Sequence, residues 1–162
     1  MIARLPALFL MLALAGCGFH PLYGHGGASP AIMASIYVDP IPERTGFELR
    51  NSLIDLLNAG GGNSKQYRLK ITLAEDIKGI ALQNDATITR YNYLLDAKYE
   101  LTDSAGKLVT SGRQSTLSAY NVVASPYATL SAQQDAQKRA AQDLSQRIQL
   151  DLGVFFARHK QR

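Results

Sequence analysis

The only cysteine of the chain, Cys17, ends a short apolar segment near the N-terminus and offers a thiol for lipid attachment. Arg4 supplies a small positive charge ahead of the apolar run at 5–14. This layout is typical of a bacterial secretory signal, and the run is too short for a comfortable membrane-spanning helix. Leu14-Ala15-Gly16-Cys17 matches the lipobox, whose cysteine is acylated and becomes the N-terminus after cleavage. We therefore predict a lipoprotein signal peptide at 1–16 and a bilayer anchor on Cys17, because more than one acyl chain gives stable attachment.

The alternative is an ordinary secretory signal that leaves Cys17 as a free thiol. With Cys17 acylated no thiol remains, which excludes disulfides and redox centres. Removing residues 1–16 from the 162 leaves 146, enough for one domain with a sizeable core. Without Arg4, 16 of the 17 basic residues remain against 13 acidic ones, too mild an excess for a nucleic-acid arm. We expect a soluble, periplasm-facing domain that does not bind nucleic acid.

Side chains that could carry catalysis or hold a metal are not grouped in this sequence. His20 and His25 fall in or before a segment rich in Gly, Ser and Pro, and His159 falls in a basic tail. No pair has metal-ligand spacing, and no G-x-S-x-G pattern surrounds a serine. The glycines at 60–62 follow a predicted helix, so they cannot present a helix N-terminus to a phosphate. We therefore expect no catalytic residue, no metal and no cofactor, and we predict that the protein is not an enzyme.

The first half of the mature chain predicts a tether, a strand and a helix. Residues 17–31 are predicted to be the acylated cysteine and a flexible tether, and a single domain is predicted over 32–162. The first strand is predicted over 32–38, because prolines follow it. Thr45-Gly46-Phe47-Glu48 matches a capping box, and the leucines after it share one helical stripe up to the glycines at 60–62.

Three further strands and a long helix are predicted after that. Residues 67–73 alternate between apolar and polar, 75–85 suggest a turn at Gly79 or at Asn84-Asp85, and 87–102 alternate again. A turn at 103–106 leads into a Ser/Thr-rich strand over 107–120, in which Gly112 suggests a bulge. We expect this hairpin to be antiparallel and to protrude from the domain body.

The last helix begins either at Pro126 or at Ser131, where Gln134 would complete a second capping box. Its stripe at helical spacing is read as core rather than as a binding site, and 159–162 as a frayed basic end. The stripe consists of Ala136, Ala140, Leu144, Ile148, Leu152 and Phe155.

This order predicts an α+β two-layer sandwich with two helices on one face of a four-stranded mixed sheet, in the order β-α-β-β-β-α. The helical crossover should make the first two strands parallel and the connection right-handed. The remaining strands should form an antiparallel meander.

Five cations are predicted on the sheet face opposite the helices. Long cations on an uncovered sheet suit an anionic ligand, because phosphates and carboxylates accept charge-assisted hydrogen bonds. The plainer interpretation is an ordinary solvated face, in which Asp96 and Glu100 prevent a field of one sign. The five cations are Arg68, Lys70, Arg90, Lys98 and Arg113.

Several segments together resemble the LptE family of lipopolysaccharide-assembly lipoproteins, in its alphaproteobacterial form. The resemblance covers essentially the whole mature chain, and the predicted order of elements agrees with the family's fold. Gly18, where an Asp typically retains proteobacterial lipoproteins at the inner membrane, favours the outer membrane, again by resemblance. The segments are Cys17-Gly18-Phe19-His20-Pro21-Leu22-Tyr23-Gly24 after the lipobox, Thr89-Arg90-Tyr91-Asn92, Tyr99-Glu100-Leu101-Thr102-Asp103, and Ser118-Ala119-Tyr120-Asn121 before the last helix.

The resemblance implies a role at the outer membrane. Family members plug the large β-barrel LptD, stabilise its assembly and bind lipopolysaccharide on its way to the outer leaflet. The polar hairpin would suit a hydrated barrel lumen, and the basic sheet face would suit the phosphates of lipid A. The loops at 79–85 and 122–130 contain no basic residue, so Lys78 and Arg90 are the nearest candidates for binding lipopolysaccharide at that end of the sheet.

The alternative function is structural: the protein would be an envelope lipoprotein that supports a membrane complex and binds no glycolipid. Salt-sensitive binding of purified lipopolysaccharide would argue against it, because screening weakens contacts between exposed charges.

Overall fold

The described part of the computed structural model comprises residues 30–61, 64–82 and 88–159. Cys17, His20, His25 and the predicted signal peptide lie outside these residues, as does Asn84-Asp85. The chain forms a four-stranded mixed sheet with helices, which confirms the α+β fold and its order of strands and main helices. The elements are α1 (Pro30–Ala34), β1 (Ile36–Val38), α2 (Glu43–Leu56), β2 (Tyr67–Leu82), β3 (Ile88–Asp103), β4 (Leu108–Asn121) and α3 (Pro126–His159).

The strands lie side by side in chain order. β1 pairs parallel with β2 from Ile36 opposite Tyr67, as the helical crossover between them predicts. β2, β3 and β4 form the predicted antiparallel meander. The sheet thus has two ends. We call the end with Tyr67 and the turn at 103–107 the proximal end, and the end with Lys78, Arg90 and Asn121 the distal end.

The core lies between the sheet and α2 and α3. Alternate residues of β2 and β3 are buried there, and they meet apolar side chains of both helices. A hydrogen bond of 2.6 Å between the hydroxyls of Ser52 and Ser145 joins the two helices, and Gln149 donates to the carbonyl of Leu56. Central members of this core are Leu49, Leu53, Leu69, Leu95, Ala97, Leu101, Leu144, Ile148 and Leu152.

The first predicted strand is wrong in its first half. Residues 30–34 form the short helix α1, and only Ile36–Val38 are extended. Pro30 opens the helix with its fixed φ, and the amide and hydroxyl of Ser35 bond to the carbonyls of Ala31 and Ile32 at its end. Residues 33–36 are buried in succession, so an apolar run here marks a packed helix end rather than a strand.

The predicted capping box at Thr45 is also wrong. α2 begins two residues earlier, at Glu43, and its start at Pro42 has no side-chain cap. Thr45 is buried within the helix, and its hydroxyl lies 3.3 Å from the phenol oxygen of Tyr93. The helix ends at Leu56, and Asn58 takes the left-handed conformation (φ 52°) before the glycines are reached.

The strands are longer than predicted around the first hairpin. β2 runs through Gly79 to Leu82, with register shifts between Gly79 and Leu82 where we considered a turn. Residues 74–80 are all exposed, although Tyr93 and Leu95 opposite them on β3 are buried, so the helices cover β3 at this level but leave β2 uncovered. Gly112 does not mark a bulge. A Cβ there would overlap the phenol ring of Tyr99, and the register shift between β3 and β4 lies instead at Leu101–Thr102.

The long helix begins at the first of the two predicted starts. Pro126 is its first residue, and the hydroxyl of Ser125 accepts a hydrogen bond from the amide of Ala128 (3.4 Å), as an N-cap does. The helix contains His159, which we predicted in a frayed tail, and Phe156 rather than Phe155 is its buried aromatic residue near that end. No described helix is long and apolar enough to cross a membrane.

Candidate ligand-binding surfaces

Four of the predicted cations lie on the open face of the sheet, opposite α2 and α3. They alternate along the strands with the buried residues of β2 and β3 and are exposed. Lys98 pairs directly with Arg113 on β4, which brings two cations together. Lys70 lies one row away, opposite Glu100, and Arg68 lies at the proximal edge of this face, opposite Thr102. We call this group, Arg68, Lys70, Lys98 and Arg113, the open-face cations.

Carboxylates compensate half of the open-face cations. The Nε atom of Arg68 lies 3.6 Å from Oδ1 of Asp39, and its guanidinium lies 5.7 Å from the centre of the Tyr37 ring. Lys70 faces Glu100 across the strand pair. Among the described residues, Lys98 and Arg113 form no ion pair with a carboxylate. The open face therefore carries one uncompensated pair of cations rather than a continuous basic surface.

The other two predicted residues, Lys78 and Arg90, lie at the distal end. Lys78 pairs with a carboxylate, whereas Arg90 lines a cleft. The Lys78 ammonium lies 2.9 Å from Oδ2 of Asp76, and this hydrogen bond and charge raise the pKa of Lys78. Arg90 lines a cleft of about 420 Å³ between the end of β4 and the first turns of α3. The sequence therefore predicted one basic residue of this cleft, Arg90, but not the cleft itself.

The opposite wall of this distal cleft carries a second guanidinium, that of Arg139. Its Nη2 atom donates to the carbonyl of Ala119 (3.3 Å), which fixes it against the end of β4. Asp135, one helical turn earlier, also lines the cleft. The remaining lining is partly apolar and consists of Ala119, Tyr120, Asn121, Val123, Ala128 and Ala132.

Local bonds hold the shape of the distal cleft. The hydroxyl of Thr129 accepts from the amide of Val123 (3.1 Å) and lies 3.2 Å from its carbonyl, which closes the loop onto the first turn of α3. Tyr120 stacks on Tyr91 with ring centres 5.5 Å apart, and burial raises the pKa of Tyr120. The cleft is therefore a built concave surface lined by two cations, one carboxylate and several apolar side chains.

Polar bonds also join α3 to the sheet further along the helix. Asp151 accepts hydrogen bonds from the hydroxyl of Tyr99 (3.0 Å) and the amide of Gln114. Two turns earlier, Asp143 accepts from the hydroxyl of Thr116. That bond, together with the Arg147 guanidinium 2.9 Å away, lowers the pKa of Asp143. The Ser/Thr-rich strand is thus partly explained by pairing with the helix.

The comparisons with known proteins decide the family. The model of the LptE family, described as lipopolysaccharide-assembly, matches residues 33–152, which is most of the chain. The chain belongs to the LptE family. This confirms the resemblance seen in the sequence, and it makes the protein a lipopolysaccharide-assembly lipoprotein at the level of the family, which is not a family of enzymes.

Solved structures of bacterial lipoproteins share the LptE-family fold. A lipoprotein of Caulobacter crescentus CB15 is 27% identical with a TM-score of 0.68, over 79% of this chain and 95% of that one. The minor lipoprotein of Acinetobacter baumannii is 16% identical with a TM-score of 0.59, over 74% and 90%. Rare lipoprotein B of Shewanella oneidensis is 9% identical with a TM-score of 0.59, over 77% and 96%. A search of curated sequences gives no significant match.

Proposed function

We propose that this LptE-family protein is an outer-membrane lipoprotein that binds lipopolysaccharide and plugs and helps to assemble the LptD β-barrel in a 1:1 complex. The family match over residues 33–152 supports the role in lipopolysaccharide assembly. The distal cleft, with Arg90 and Arg139 on its two sides, is the observation that carries glycolipid binding.

The chemistry of the distal cleft suits a phosphorylated glycolipid. A guanidinium group presents a planar set of donors that matches a phosphate oxygen pair, so Arg90 and Arg139 can each bind a phosphate or carboxylate group of a glycolipid. Val123, Ala128 and Ala132 add apolar surface next to the cations, as an amphiphile requires. Lys78 lies near Arg90 at the same end of the sheet and would extend this site.

Binding of purified lipopolysaccharide to cleft variants tests this proposal. We expect Arg90→Ser combined with Arg139→Ser to weaken binding by about tenfold or more, because each lost charge-assisted hydrogen bond is worth roughly 1.5–3 kcal/mol. Charge reversal at Lys78 and Arg90 together should weaken it as well, and raised salt should weaken the unchanged protein. A matched variant, Lys98→Ser with Arg113→Ser, separates the cleft from the open-face cations. Unchanged affinity in a folded Arg90→Ser and Arg139→Ser variant would remove the cleft from the proposal.

The plug role is proposed from the family and from the shape of the first hairpin. Residues 74–80 of β2 are exposed on both faces, and they carry Glu75, Asp76 and Lys78 among small and apolar residues. A mild-detergent pull-down of the full-length protein from its own envelope tests it. We expect an equimolar large outer-membrane barrel. Recovery of the lipoprotein alone, or with inner-membrane partners only, would contradict the plug role or the outer-membrane assignment.

The lipid anchor completes the proposal. Residues 1–16 would be removed as a signal peptide, Cys17 would carry the acyl chains, and Gly18 would allow export to the outer membrane. Intact mass of the mature protein tests the first two points, since acylation adds the mass of its fatty acids to a chain that begins at residue 17. A mature chain with an unmodified Cys17 thiol would contradict the anchor.

The second candidate function is that of a structural lipoprotein that binds no glycolipid. It is favoured because several of the predicted cations lie close to carboxylates. Arg68 lies near Asp39, Lys70 faces Glu100 and Lys78 lies near Asp76, as expected for a solvated face. Salt-independent recovery of the barrel together with an absence of lipopolysaccharide binding would favour this function.

A further inference from the structure

The proximal end of the sheet carries a second cleft, which the proposed function does not use. Its volume is about 510 Å³, and it opens where β2 begins and the turn between β3 and β4 lies. The residues that matter for its chemistry are Tyr37, Lys65, Arg68, Thr102, Asp103 and Ser104.

Positive charge dominates this proximal cleft. Lys65 donates to the carbonyls of Ala34 (2.9 Å) and Ala59 (2.5 Å), so its ammonium is held in place without a carboxylate. The side chain of Arg68 is 65% exposed, and its 3.6 Å distance to Asp39 exceeds the usual length of a charge-assisted bond. Its guanidinium can therefore still donate to an anion.

The carboxylate of Asp103 reduces this charge only in part. Its Oδ1 atom accepts hydrogen bonds from the amides of Ala105 and Lys107, both at 2.9 Å, and these define the turn. Ser104 is exposed beside it and adds a hydroxyl group to the cleft. The cleft thus offers cations together with a neutral donor, a set that suits a phosphodiester with a hydroxylated headgroup.

Further cations surround the proximal end. Lys107 is exposed in the turn, and Arg158 is exposed in the last turn of α3. That helix end lies at the same end of the sheet, because the rings of Phe156 and Tyr67 are in edge-to-face contact with centres 5.2 Å apart. Leu108, beside Lys107, is 55% exposed and adds an apolar contact. Cations beside an exposed leucine are a combination typical of membrane-surface binding.

The described chain also starts at this end. Lys65 of the cleft donates to the carbonyl of Ala34, so α1, the first described element, ends at the proximal end. Residues 17–29 number 13, and even fully extended they span at most about 45 Å. An anchor on Cys17 would therefore keep the proximal end at a millimolar effective concentration near the bilayer, where weak headgroup contacts suffice. The distal cleft lies farther away, since Arg90 and Asp103 are separated along β3 by about 40 Å.

We propose that the proximal end docks on anionic phospholipid headgroups of the membrane that holds the acyl chains of Cys17, with Arg68 and Lys65 at the headgroup phosphate and Lys107 and Arg158 beside it. This inference rests on the acylated anchor of the proposed function. When the domain is outside the barrel, this docking gives it one orientation, with the distal cleft directed away from the bilayer.

The only cysteine of the sequence, Cys17, makes a direct test possible. In the acylated, full-length protein, Ala105→Cys places one reactive thiol at the proximal end, and Ser131→Cys places one on the exposed start of α3. Each is labelled with a fluorophore and reconstituted into vesicles that contain a headgroup-attached quencher. We expect stronger quenching of the label at 105 in vesicles with phosphatidylglycerol than in phosphatidylcholine alone, and no such difference at 131.

Charge variants separate docking from tethering. Lys107→Gln combined with Arg158→Gln should reduce the docked fraction, since each cation near an anionic surface strengthens association by about fivefold. Arg68→Gln should reduce it as well. Arg44→Gln with Lys138→Gln removes the same charge from exposed positions of α2 and α3 away from the proximal end and should leave quenching unchanged.

Two results would overturn the inference in different ways. Equal quenching at 105 in the two kinds of vesicle, from protein that floats with both, would show a tether without docking. Two labels per chain would instead show a free Cys17 thiol, and the anchor on which the inference rests would be wrong.

Discussion

The hydroxyl of Tyr99 donates a hydrogen bond of 3.0 Å to Oδ2 of Asp151, which joins β3 to α3 beside the core. Gln114 of β4 donates to the same oxygen, so one carboxylate connects a helix to two neighbouring strands. The side chain of Tyr99 is 5% exposed, which means that its hydroxyl has little access to water as a substitute partner. This junction therefore helps to hold α3 against β3 and β4.

Substitutions at this junction should differ in a defined order. Tyr99→Phe removes one bond and leaves Asp151 with Gln114, so we expect it to lower the free energy of unfolding by about 1 kcal/mol. Asp151→Ala leaves two donors without their acceptor, and we expect a loss of about 2–3 kcal/mol. The double variant should lose less than the sum. Urea unfolding of the three proteins gives these values, and an equal loss for the two single variants would contradict the shared-acceptor arrangement.

Replacing Gly112 should destabilise the protein through the same tyrosine. The Cβ of alanine would overlap the phenol ring of Tyr99, so we expect Gly112→Ala to cost about 1–3 kcal/mol in urea unfolding. Gly61→Ala serves as the control, because its Cβ would meet only the carbonyl oxygen of Asn58 at 4.0 Å. The same Gly112→Ala change in a Tyr99→Leu background should cost less. A cost that is unaffected by the Tyr99→Leu change would show a backbone effect instead of a side-chain overlap.

High pH should weaken the fold through two buried phenols. Burial raises the pKa of Tyr93, and burial together with the Asp151 carboxylate raises that of Tyr99. Because the unfolded chain releases these protons near pH 10 while the folded chain retains them, stability should fall as pH rises above about 10. In a phenolate absorbance titration, part of the signal should appear only with unfolding. In Tyr93→Phe with Tyr99→Phe that delayed part should shrink to what the buried Tyr120 contributes, and a delayed part of unchanged size would contradict the assignment.

Acid should act on the neighbouring junction at Asp143. The hydroxyl of Thr116 and then the Arg147 guanidinium lower the pKa of this carboxyl below its unfolded value. Its contribution to stability is present above about pH 4 and is lost as pH falls through the lowered pKa. We therefore expect Thr116→Val to destabilise the protein at neutral pH and to matter less in acid, below the lowered pKa, where Asp143 is protonated in both states.

Arg147→Gln removes the other group that lowers the pKa of Asp143 and serves as a comparison with Thr116→Val. Because the Arg147–Asp143 pair is about half exposed, this variant should have a smaller effect at neutral pH. Urea unfolding at both pH values gives the comparison. A Thr116→Val cost that does not vary with pH would show that the hydroxyl matters for packing alone.

The sequence predicted the sheet well because its strands alternate strictly, with Leu69 and Ile71 or Tyr93 to Leu101 on one face. The sequence-based prediction was wrong where a local pattern is compatible with two different structures. Thr45 fits a capping box by pattern, but the phenol of Tyr93, 48 residues away, takes its hydroxyl and the helix starts earlier. Gly112 fits a bulge by residue type, but its small size is needed for Tyr99. Both outcomes depend on contacts between distant segments.

The candidate sites show the same limit. The alternation of β2 and β3 was enough to place Arg68, Lys70 and Lys98 on one exposed face. Arg139 was missed because α3 was read only for its apolar stripe, and nothing near it in the chain points to the end of β4. The proximal cleft was missed for a similar reason, since Lys65 precedes the strand and acts through the carbonyls of Ala34 and Ala59. For Lys65, its position just before a predicted strand is the signal that could have drawn attention to it. Arg139 lies well inside α3, and no local signal marks it.

The position of β4 at the outer edge of the sheet has a consequence for handling the protein. Its 14 residues contain one charge, Arg113, and its register with β3 is regular beyond the shift at Leu101–Thr102. Long, flat edges with few charges template strand-to-strand association between molecules. Arg139, by occupying the carbonyl of Ala119, covers one position of this edge. We therefore expect the isolated protein to associate through β4 at high concentration, and the charges of Arg113 and Arg139 should oppose this association.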